Sequence, residues 1–157
     1  MDRVRVLPAT VTNEYRGSRV AFWAFVALTA LTLLRSVIHV VAFDGGAQSI
    51  ATIPLDSFGP NGAAAVVHVF GLWGLSQLVV GILYVLALAR YRSLIPLFYL
   101  LAIVEYAVRL LLTLVKPVET AGTAPGAVGN YVLIPILGTM LWLSLRRPRR
   151  AGQAAGR

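Results

Sequence analysis

The stretch from Val20 to Phe43, VAFWAFVALTALTLLRSVIHVVAF, decides the fold. At ~1.5 Å per residue its roughly 24 residues make a helix long enough to cross a hydrocarbon layer of about 30 Å with some tilt. Only Arg35, His39 and a few small hydroxyls interrupt its apolar character. The polar 1–19 segment before it is longer and less hydrophobic than a cleavable signal peptide, so the run is expected to stay in the chain as a first span.

The whole composition agrees with that stretch. Of 157 residues, 58% are hydrophobic and 13% charged, and the mean hydropathy is +0.78, whereas soluble domains run to roughly 45–50% apolar and about 25% charged. The length accommodates about four spans of ~20 residues and no separate soluble domain. The expected architecture is all-α, a four-helix antiparallel transmembrane bundle over residues 20–147, with spans near 20–43, 63–89, 94–115 and 130–145. A cytoplasmic segment 1–19 precedes it and a basic tail 148–157 follows. The 44–62 loop is punctuated by Gly45-Gly46, Pro54, Gly59-Pro60 and Asn61-Gly62 around a small apolar piece, Ile50 to Leu55, which is expected at the membrane surface. Residues 117–129, rich in Gly, Pro and Thr, read as a second loop, and Pro135 and Gly138 predict a kink or close contact in the last span.

Arginine sets the orientation. Arg3, Arg5, Arg16, Arg19, Arg90, Arg92, Arg146, Arg147, Arg149, Arg150 and Arg157 fall on one side of a four-span chain, against Lys116 with Asp44, Asp56 and Glu119 on the other. The positive-inside rule places both termini in the cytoplasm of a cell membrane, and the preference for Arg over Lys fits a GC-rich bacterial source. A sequence pI near 10.9 is thereby explained by orientation and anionic lipid rather than by nucleic acid. The chain has no cysteine, which excludes disulfides and thiol redox chemistry. No Ser-His-Asp spacing, phosphate loop or HExxH occurs, so no catalytic residue is assigned.

Three ionisable residues, Arg35, Glu105 and Arg109, lie deep inside these apolar runs. Each costs about 2.5–3.5 kcal/mol at the bilayer centre on insertion scales, so partners or a ligand are expected for them. Counting back from the outer helix ends puts His39 about 6 Å deep, His68 about 8 Å, Arg109 about 10 Å, Arg35 about 12 Å and Glu105 about 16 Å. Arg35 with His39 and Glu105 with Arg109 are spaced four apart, so each pair shares a helix face. The resulting expectation is an outward-facing polar pocket of Arg35, His39, His68, Glu105 and Arg109, one positive charge in surplus, suited to an anionic headgroup, a carboxylate or a polar carbonyl. The alternative is a structural ion pair with the remaining Arg snorkelling to headgroups. Neighbouring arginines disfavour a cation, so no metal or cofactor is assigned, although His39 and His68 at similar depth could in principle serve haem.

Gly74 and Gly81, seven apart with Gln77 and Tyr84 on one face, predict a helix-packing surface. Nine residues from His68 is half a turn, so Gln77 is expected to face away from the pocket and bond across a helix contact. Trp23, Trp73 and Trp142 read as interfacial belt or packing aromatics.

The runs HVFGLWGLSQLVVGILYVLALARYRS and LLAIVEYAVRLLLTLVKP, followed by a Gly/Pro-rich loop and a last span, resemble the DoxX-like superfamily of small four-helix membrane proteins over about Val20 to Arg147. The shared features are a Gly-bearing second helix, here Gly71, Gly74 and Gly81, and an intramembrane Arg on the third, here Arg109. The resemblance implies fold more than activity. Named members resemble subunits of a thiosulfate:quinone oxidoreductase, which implies a quinone or a partner subunit, but no redox-centre residue carries over. Three functions are therefore expected in competition: binding or passing a lipid or quinone; a structural or accessory subunit of a membrane complex with a purely structural ion pair, its partner a second copy or another membrane subunit; and an enzyme using a His or Glu105 on a lipid-soluble substrate.

Overall fold

The computed structural model describes residues 4–146. Among these the chain is all-helical, with four long helices: α1 (Arg19–Val41), α2 (Pro60–Arg90), α3 (Ile95–Val115) and α4 (Pro125–Leu145). Each is long and apolar enough to cross a membrane. Arg3 and the basic tail with Arg147, Arg149, Arg150 and Arg157 lie outside the described residues.

Two of the four helices begin earlier than the sequence suggested, for one reason. Pro60 and Pro125 were read as loop punctuation, yet each occupies the first turn of a helix. There its missing N–H is no loss and its fixed φ favours the helical start. α2 consequently runs for 31 residues, some 46 Å, beyond the ~30 Å of a hydrocarbon core. Pro135 sits inside α4 and leaves the Tyr131 carbonyl without its intrahelical amide partner.

The helices pack as two pairs, α1 on α2 and α3 on α4, with slighter contact between the pairs. Glycine decides the first pair. A Cβ at Gly74 would lie 2.6 Å from His39 Cβ and 3.1 Å from His39 C and Val40 N, so α2 approaches α1 there only because that side chain is missing; one at Gly81 would first meet the movable end of Leu33, 2.6 Å from Cδ2. Toward the termini the two pairs share an aromatic core. Phe25 packs on Tyr84, Phe98 and Tyr99 at centroid distances of 5.1, 6.3 and 5.3 Å, and the Tyr99 hydroxyl donates to Ala21 O at 2.6 Å.

Both ends of the bundle are laced. At the termini end the segment before α1 bonds to the α2–α3 connector through Thr12 N to Ser93 Oγ, 2.9 Å, and Ser93 N to Thr12 O, 3.2 Å. Ser18 N reaches Leu143 O at 3.2 Å. Gly17 lies so close to Ser144 O that a Cβ there would stand 2.4 Å away. Burial holds the Tyr15 phenol near this junction and pushes it up to about 12.

At the opposite end the 42–59 loop folds over the first turns of α2. Its apolar piece buries Ile53 and Leu55 with Ala47 against Val66, Val67 and Phe70, so it is seated on the first turns of α2. The turn into it is organised by Asp44, whose carboxylate accepts from Gly46 N at 2.9 Å, Gln48 N at 3.0 Å and Ser49 N at 2.6 Å. Burial raises the Asp44 carboxyl, but these bonds outweigh it and hold the group down at about 2. Gly45 and Gly46 take positive φ, as only glycine does without strain. Thr52 also takes positive φ, 57°, unusual for a β-branched residue. It ties the two loops together: Ala121 N donates to Thr52 O, and Thr52 Oγ1 donates to Gly122 O, each at 2.8 Å.

Candidate functional site

Midway along the bundle, one chain of polar side chains joins three helices. Arg35 on α1 donates to Gln77 Oε1 on α2 at 3.0 Å. Gln77 Nε2 donates to Glu105 Oε1 on α3 at 2.9 Å. Arg109, one turn beyond Glu105, donates to the same carboxylate oxygen and forms an ion pair with it. Glu105 is ten residues from either end of α3, about 15 Å from each.

The middle member has to offer both a donor and an acceptor, as the Gln77 amide does. A guanidinium only donates and a carboxylate only accepts, so the residue between them must offer one acceptor and one donor, which fixes the orientation of the Gln77 side chain. Gln77 is buried and belongs to the same close-packed α2 face as Gly74 and Gly81, which lets it touch α1 and α3 at once.

Trp73 underlies both arginines. The Arg35 and Arg109 guanidinium carbons lie 5.3 and 4.8 Å from its ring centroid, within cation–π range. Arg109 also sits 5.3 Å from the Tyr106 ring, and Tyr106 interacts with Arg35. The balance is two cations against one anion. Glu105 is matched by Arg109, whereas Arg35 has no carboxylate within ion-pair distance among the described residues and is met by neutral groups, Gln77 and Tyr106. Its Nε is buried without a hydrogen-bond partner. The pair is not sealed: the side chains of Arg109 and Glu105 keep 19% and 29% exposure.

The five residues expected to share a pocket are divided. Arg35, Glu105 and Arg109 meet through Gln77. His39 is buried beside them, its ring 4.6 Å from Trp73, but Nδ1 lies 2.7 Å from Gly45 O. A carbonyl only accepts, so Nδ1 carries the hydrogen, and the histidine holds the loop in place. His68 is exposed. It lines a different feature, an open groove of about 730 Å³ with Phe43, Asp44 and Asp56 at the loop end. The two imidazoles share no partner among the described residues.

Gln77 faces the charges rather than away from them. The half-turn between His68 and Gln77 is sound helix geometry, but His68 was the wrong reference because it points out of the bundle. Trp73, four residues before Gln77, carries the relevant direction: the residue expected as a belt or packing aromatic packs against both arginines. The usable signal was a Trp and a Gln at that spacing, both beside Gly74.

Compared with protein-family models, curated proteins and solved structures, the chain matches none.

Proposed function

We infer that this chain is a multi-pass membrane protein, both termini cytoplasmic, that binds or passes a small amphipathic molecule, a lipid or quinone, at the layer formed by Arg35, Trp73, Gln77, Glu105 and Arg109. The observation that carries this reading is the unmatched Arg35. A guanidinium within an apolar bundle, answered only by the neutral Gln77 and Tyr106 and with a buried unpartnered Nε, retains the donor capacity and charge that a polar headgroup would satisfy. The partial exposure of Glu105 and Arg109 offers such a molecule a lateral approach. The sequence resemblance to DoxX-like proteins is compatible with this role and names no ligand.

The test is mass spectrometry of what purifies with the protein from its own membrane, wild type against Arg35→Gln. A bound lipid or quinone retained by the wild type and lost in a variant that folds normally supports the reading. Equal retention in both refutes it.

A second reading, an accessory subunit or homo-oligomer with a purely structural ion pair, is favoured by the second helix pair. The most apolar window of α4 is only 11% buried, against 33% for α1, which leaves α4 a large face for another membrane helix. In that case Glu105→Gln and Arg109→Leu would each unfold the protein and the double change would restore it.

A further inference from the structure

We propose that the ligand of this layer is a singly charged oxyanion on an apolar tail, its headgroup bridging Arg35 and Arg109, with Trp73 as the ring that keeps both guanidiniums within its reach. The proposal rests on the binding role argued above and specifies its chemistry.

Two like charges in a low-dielectric interior repel one another, yet both guanidiniums lie against one indole, which places them within about 10 Å of each other whatever faces they occupy. Glu105 does not account for this arrangement. Its engaged oxygen already accepts from Arg109 and Gln77, and it balances only one of the two cations. The ring's π face attracts cations without cancelling their charge. Trp73 therefore stabilises a doubly cationic arrangement that the protein's own carboxylate half-neutralises, and one negative charge completes it. A carboxylate or phosphate oxyanion accepts from several N–H donors and suits guanidinium geometry. A neutral quinone carbonyl would satisfy hydrogen bonds but leave the surplus charge in place. The apolar tail follows from the surroundings, since the exposed faces of α1 to α3 beside the layer carry Val and Leu side chains, among them Leu31, Leu75, Val104 and Leu112.

Tryptophan fluorescence gives a direct reading. Trp23 and Trp142 are 66% and 50% exposed, so replacing both with Phe leaves Trp73 as the single reporter in an otherwise intact chain. The purified protein is titrated with four brominated probes: a fatty acid, its methyl ester, a phosphatidylglycerol and a quinone with a brominated tail. Saturable quenching by the acid at concentrations at least about tenfold below those for the ester, abolished in Arg35→Gln, is the expected result. Preference for the phosphatidylglycerol over the acid assigns the oxyanion to a phospholipid, and the reverse to a free fatty acid; either agrees with the proposal. Equal saturable quenching by acid and ester, or tighter quenching by the quinone, overturns the oxyanion while leaving a ligand-binding layer. No saturable quenching by any probe overturns both. If the double-Phe protein does not fold, native mass spectrometry of the wild type with the acid and the ester makes the same comparison, equal occupancy being the refuting outcome.

Discussion

Replacing Gly74 with Ala adds one methyl group at the point where α1 and α2 are closest, and the structure allows its effect to be worked through. The new Cβ would stand 2.6 Å from His39 Cβ, with His39 C and Val40 N both at 3.1 Å, against the 3.5–4.0 Å or so that carbon atoms prefer. The obstructing atoms include α1 backbone, so α1 itself must move by several tenths of an ångström. Overpacking of this kind costs about 1–3 kcal/mol, and the helix-propensity gain of Gly→Ala returns up to about 1 kcal/mol. A net loss of about 1–2 kcal/mol is expected. Gly81→Ala meets Leu33 Cδ2 first, the end of a side chain that can rotate, so its net effect should be close to zero. Gly138 has no atom within 4 Å of the added Cβ, and Gly138→Ala should be neutral or stabilising. Thermal unfolding of the three variants in one detergent, followed by circular dichroism, should rank Gly74→Ala lowest by a few degrees. A Gly74→Ala midpoint equal to or above that of Gly138→Ala would refute the claim that the first helix pair depends on that missing side chain.

Gln77→Leu removes two hydrogen bonds to charged groups, each worth about 1.5–3 kcal/mol in a buried setting, and should destabilise far more than Gln77→Glu, which still accepts from Arg35; equal losses in a denaturation series would contradict the bridging role. A double-mutant cycle on Glu105→Gln and Arg109→Leu should give a favourable coupling, scaled down by the residual exposure of both side chains; zero coupling would mean that their contact contributes nothing. Asp44 is held at about 2 in the folded loop against an ordinary 3.8. Its contribution is therefore fully present above pH 4 or so and is lost as pH falls toward 2, and amide exchange at Gly46 and Ser49 should accelerate across that window in the wild type but not in Asp44→Asn. Thr52→Gly relieves a positive φ and loses the Oγ1 bond to Gly122, so its stability should change little while protease cleavage within 117–124 increases; unchanged cleavage would show that this bond does not restrain the loop.

The number of helices was legible because long apolar runs leave the backbone no other way to satisfy its hydrogen bonds in lipid. Helix starts were less so: Pro60 and Pro125 act as breakers in a loop and as starters in a first turn, and the local sequence around each suits both. Arg35, Glu105 and Arg109 stood out because charge is rare in such runs. Gln77, Trp73 and His68 could not be placed by counting angles on one helix. A helical wheel gives directions relative to a chosen residue and is silent about which direction faces the neighbours, and the choice of His68 as origin turned α2 by half a turn. The loop of residues 42–59 was opaque for another reason. Its form depends on His39 and on the first turns of α2, partners that no local pattern displays.

The lacing at the termini end bears on how the chain is assembled. Thr12 waits for Ser93, 81 residues later, and the amide of Ser18 finds its acceptor only at Leu143 in the final turn of α4. The bond of Ser18 to Leu143 therefore cannot form until the final turn of α4 has been made. A ribosome stalled within α4 would leave three helices whose leading segment lacks its bond to Leu143 and is more open to proteases. Protection of the segment around Ser18 therefore reports that α4 has joined the other three helices.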